Sequence, residues 1–126
     1  MANGALYVSW GELIPGREET GSAVLNSAMA FLGRLQAEGR ISAADAIVLE
    51  PTGGTTLGFV LVKGDRNTLA SLRVAPEFLE IIIGIQLVHR NVAVAWAHTG
   101  PELGQVLGLW TKRETELLGG RSAATE

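Results

Sequence analysis

The chain has 126 residues, a formal net charge of −3 and a pI near 5.4, so it carries no basic footprint for nucleic acid, and its ten Lys and Arg are too scattered for a polybasic membrane patch. It contains no cysteine, which excludes disulfides and thiolate metal sites. Only 18% of residues are charged against 47% hydrophobic, where about 25% charged is usual, and this shortage of charge predicts a large apolar interface.

The length predicts one domain, with a core over about 5–110 and a mobile tail over 119–126. "ALYVSW" (5–10) is aromatic and β-branched and reads as a strand, and "GELIPG" (11–16) as a loop. From Arg17 the period changes. Val24, Leu25, Ala28, Phe31, Leu32 and Leu35 form the stripe of an amphipathic helix over 17–38, with Glu18 and Glu19 in its first turn and Gly39 after its end. "AIVLE" (46–50) reads as the second strand, "PTGGTT" (51–56) as a hairpin turn and "LGFVLVKG" (57–64) as the returning strand. Asp65 is placed to cap a short helix carrying Leu69 and Leu72. Pro76 is placed to start a second helical piece with Phe78, Leu79, Ile82 and Ile83, and the break between them is expected near Arg73–Pro76. Gly84 is expected to end that piece. "NVAVAWAH" (91–98) reads as the last strand. Thr99 with Glu102 has the spacing of a capping box for a terminal helix striped by Leu103, Val106, Leu107 and Trp110 and running to about Leu118.

The order β-α-β-β-α-β plus a helix predicts an α+β, ferredoxin-like arrangement: a four-stranded antiparallel sheet with both long helices on one face. A sheet covered on one side should alternate apolar with polar residues. These strands do not: Leu6, Val8 and Trp10 oppose Tyr7 and Ser9, Phe59 and Leu61 oppose Val60 and Val62, and Val92, Val94, Trp96 and His98 oppose three alanines. Both faces are therefore expected to be buried, the second one by the terminal helix or by another subunit's sheet. A membrane is not the answer, because Glu80, Gln86, His89, Arg90 and Asn91 interrupt "FLEIIIGIQLVHRNVAVAWAH" before it reaches about 18 apolar residues. The start of the chain does not look like a signal peptide, and a cytoplasmic location is expected.

On the element order, the "YVSWGELIPGREET" start, the "EPTGGTTLGFVLVKG" hairpin and the "AHTGPEL" exit, the chain resembles the dimeric α+β barrel superfamily over about 5–110. The resemblance implies a homodimer whose paired sheets and helices enclose a cavity. It also implies one of three activities: binding of a small apolar or aromatic molecule, cofactor-independent monooxygenase or isomerase chemistry in the same cavity, or a structural dimer without ligand. No cofactor is expected. With only two His, nine residues apart, neither a metal site nor haem is expected.

His98 is the first candidate for catalysis, as a general base whose unperturbed pKa lies near 6.5, set against a strand-end histidine bonded to backbone. Tyr7 is the second, as a proton-transfer group. His89 reads as exposed. Tyr7, Trp10, Trp96 and Asn91 are of the residue types with which cofactor-free oxygenases of the superfamily the chain resembles hold a planar substrate, although core or interface packing is the favoured role of Trp10, Trp96, Trp110 and Tyr7. Glu50 and Lys63, on opposite hairpin strands, are expected to be able to approach one another, Lys63 holding a ligand carboxylate. Arg17 reads as a solvated helix-start residue.

Overall fold

A computed structural model describes residues 3–51 and 53–119. Its elements are β1 (Gly4–Trp10), α1 (Glu18–Ala37), β2 (Ala43–Val48), β3 (Gly58–Gly64), α2 (Arg66–Arg73), α3 (Pro76–Val88), β4 (Ala93–Ala97) and α4 (Pro101–Leu118). The strands form one antiparallel sheet in the order β2-β3-β1-β4. The expected tail lies, from residue 120 on, outside the described residues.

Local chemistry sets most boundaries. α1 opens with Glu18 and Glu19 at the positive end of its dipole. It stops where Gly39 takes a φ of 76°, so that Gly39 N–H reaches Gln36 and Arg40 N–H reaches Leu35, closing the last turn. Asp65 caps α2 by accepting from Thr68 N–H at 3.1 Å. Ala75, held extended before Pro76, separates α2 from α3 as the proline predicted.

Four expectations are corrected. Gly84 does not end α3, which continues to Val88 because Ile85 and Val88 keep the buried stripe in phase. β2 begins at Ala43, not Ala46. Its low-propensity "AAD" start is held by pairing Ala43, Ala44 and Asp45 with Lys63, Val62 and Leu61. β4 is trimmed to Ala93–Ala97, with Asn91 in a left-handed turn at φ 55°. No Thr99 cap forms. Gly100, at φ 59°, is the residue before α4, and Glu102 is drawn into side-chain contacts instead.

α1, α2 and α3 cover one sheet face. Leu6, Val8, Trp10, Val60 and Val62 meet Phe31, Leu32, Leu35, Leu69, Phe78, Ile82 and Ile85 there. Each fully buried aliphatic side chain contributes about 1.5–3 kcal/mol. Trp10 fits because its strand partner is Gly58, where a Cβ would come within 2.8 Å of the indole. The second face is open. Along it run Asp45, Leu61, Tyr7 and Ala95 in one row and Ile47, Phe59, Ser9 and Ala93 in the next. α4 contributes no buried residue.

Candidate functional site

The sheet divides the candidate residues between two environments. On the helix side, Val8, Trp10, Val60 and Val62 of the sheet, Leu25, Ala28, Met29, Phe31 and Leu32 of α1, and Phe78, Ile81, Ile82 and Ile85 of α3 surround a cavity of about 30 Å³. Every lining residue is apolar. A pocket for a drug-sized molecule holds about 300–1,000 Å³, so an occupant must part side chains to enter. The rim supplies the means: Met29 is 40% exposed, and its unbranched thioether chain adapts readily.

Trp96 is on the same side, where two arginines meet its ring. The guanidinium of Arg66 lies 4.7 Å from its centroid and that of Arg73 5.6 Å. Arg66 also donates to Glu102 at 2.8 Å, and the other Glu102 oxygen lies 3.0 Å from His98 Nδ1. A carboxylate only accepts, so Nδ1 carries the proton toward it, and in the neutral ring Nε2 holds the lone pair. The arrangement orients an imidazole as a base. It stands at the exposed end of β4, beside an open cleft of about 480 Å³ bordered by Asn3, Lys63, Arg66, Thr99, Glu102 and Gln105.

On the open face Tyr7 packs against Phe59 at 5.4 Å between ring centroids. Lys63 pairs with Asp45 at 3.0 Å. Glu50 is exposed in the loop beyond β2, and the register puts it at the opposite end of β3 from Lys63, so the expected approach of the two does not occur. Tyr7 and Lys63 thus share one face, Trp10 and Trp96 the other, and His98 the sheet's end. Asn91 is exposed in its turn. Arg17 does more than face solvent: its guanidinium donates to the Leu87 carbonyl. His89 is buried, not exposed, because the segment after β1 folds back beside it. Its Nδ1 donates to the Gly11 carbonyl at 2.8 Å, and its Nε2 is a buried acceptor without a partner. Among the described residues no cluster of His, Asp and Glu could hold a metal ion.

No family model matches the chain, and no curated protein does. Solved structures do match. A dimeric ferredoxin-like protein of unknown function from Jannaschia is 15% identical, with a TM-score of 0.59 over 76% of this chain and 99% of its own. A Mycobacterium tuberculosis protein is 20% identical, with a TM-score of 0.57 over 79% and 96%. SnoaB, a cofactor-independent oxygenase from Streptomyces nogalater, is 11% identical, with a TM-score of 0.52 over 78% and 94%. The fold shared with these structures is the ferredoxin-like one. Within this ferredoxin-like fold, the sequence pattern did not reveal Glu102, Arg66 and Asp45 as partners. The four-residue spacing from His98 to Glu102 across the start of α4 was the available signal for the first. Asp45 becomes visible only once the register of β2 is known.

Proposed function

We propose that the protein is a homodimer joined through the open sheet faces, and that each protomer takes a small apolar or aromatic molecule between its sheet and helices. The dimer reading is supported by the uncovered ladder of Ile47, Phe59, Leu61 and Tyr7, and by the dimeric state named for the similar Jannaschia structure. The ligand reading rests on the cavity lining, which pairs two phenylalanines and Trp10 with aliphatic groups and presents no polar side chain. Such a cavity stays dry when empty and favours an occupant without polar groups to desolvate.

The test is a thermal-shift screen with aromatic and polyketide-like compounds, wild type against Ala28→Leu, which fills the cavity. A ligand at a hundred times its Kd adds about 2.7 kcal/mol of stability to the wild type, and the filled variant loses that response. A panel without a single stabiliser overturns the ligand reading.

A second reading, cofactor-independent monooxygenase or isomerase chemistry, draws on the fold shared with SnoaB and on the oriented imidazole of His98. It predicts that His98→Ala abolishes turnover and leaves binding intact, whereas the binding reading has no turnover to lose.

A further inference from the structure

We propose that α4 is an arm that lays its apolar stripe on a second copy of this chain. The inference rests on the homodimer reading and adds to it a second contact outside the sheet faces. Leu103, Leu107, Trp110 and Leu117 recur at helical spacing along one side of α4, interrupted by Glu114. Their exposures are 44, 55, 71 and 68%. A helix of this size is marginal in water without tertiary packing, so a helix with no buried residue needs a partner surface.

Among the described residues its own protomer leaves all four exposed. The ion pairs that tie α4 to the body sit in its first turn, where Glu102 meets Arg66 and His98. That root borders the cleft that also contains Lys63, an open-face residue, so the arm departs from the margin of the face assigned to the dimer.

Among the described residues, exposed large apolar side chains gather on α4, on the outer turns of α3 and around the end of β2.

The experiment uses the full chain. Sedimentation measures the dimer constant of the wild type, of Leu107→Glu with Trp110→Glu, and of Tyr7→Asp on the sheet face. Hydrogen exchange of residues 101–118 is followed above and below the dimer constant. The proposal expects the α4 variant to weaken the dimer at least tenfold with unchanged circular dichroism, and α4 amides to be protected only in the dimer. If the α4 variant dimerises like the wild type while Tyr7→Asp does not, the arm is wrong and the sheet interface stands. If the wild type is monomeric throughout, the dimer reading falls and takes the arm with it. Protection of α4 in the dilute monomer means that its own protomer covers the stripe, which also overturns the proposal.

Discussion

Phe78→Ala tests whether the space between sheet and helices is a packed core that yields to a ligand. Phe78 is 3% exposed and lines the cavity from α3. Replacing a buried Phe by Ala costs about 3–5 kcal/mol. At about 24 cal/mol per Å³, a new void near 100 Å³ accounts for roughly 2.4 kcal/mol of that, the remainder being lost transfer energy. Set against a typical total of about 5–15 kcal/mol, the variant remains folded, with Tm lowered by about 10–20 °C. Its void approaches the size of the roughly 150 Å³ apolar cavity known to bind benzene. Small aromatics should therefore return part of the lost stability, and they should do so more strongly than in the wild type. The assay is denaturant unfolding at a fixed protomer concentration, because a dimer's apparent stability depends on concentration, with and without saturating benzene or toluene. A loss below about 1 kcal/mol, or a full loss without recovery by any small aromatic, refutes the assignment of Phe78 to the wall of a cavity that a ligand can occupy.

Three further substitutions probe the frame around the site. Gly84→Ala should raise stability by about 0.5–1 kcal/mol in thermal unfolding, since the new methyl meets Val24 at an ordinary 3.7 Å and a helix-interior glycine is removed; a drop in Tm would mean that α1 and α3 approach too closely there. Gly11→Ala should cost about 1–3 kcal/mol, because its Cβ would lie 2.6 Å from the backbone oxygens of both Arg90 and Thr55, neither of which can swing away. A neutral result in denaturant unfolding would contradict that packing. Glu102→Gln removes the charge held by Arg66 and His98 at a partly exposed position, so it should cost no more than about 1 kcal/mol. A larger loss would show α4 to be anchored through Glu102 far more firmly than a surface pair allows.

The elements that were legible in the sequence are those whose signals are local. Asp65, Pro76 and Gly39 set their own boundaries through a cap, a fixed φ and a left-handed turn, and each acts as read. The strand faces were legible too, because pairing preserves parity: Leu6, Val8 and Trp10 do point to the opposite side from Tyr7 and Ser9. What failed depended on partners distant in the chain. Gly84 looks like a helix stop until Ile85 and Val88 beyond it are seen to be buried, and their burial carries α3 past the glycine. Ala43–Asp45 lacks strand propensity and becomes a strand only because β3 offers it a ladder. His89 reads as a polar residue at a strand's start, and it is buried because the segment after β1 folds back to give its Nδ1 the Gly11 carbonyl. The proposed Glu50–Lys63 approach required a register that no local pattern fixes.

The division of side chains by the sheet also bears on which activity fits. Proton transfer needs a base within hydrogen-bond reach of a bound substrate, and the helix-side cavity has no titratable group in its wall. The groups that could serve lie elsewhere: Tyr7 through the sheet on the open face, His98 at the strand end with its Nδ1 committed to Glu102. Within one protomer no placement of a small molecule touches both Trp10 and Tyr7, since their side chains leave opposite sides of the same strand. In the proposed dimer, chemistry at Tyr7 would take place between two protomers, whereas the apolar cavity offers no proton-transfer group from its own lining. Binding is the activity that a single wall of aliphatic and aromatic groups can perform unaided, and this is why it stands ahead of the oxygenase reading despite the shared fold.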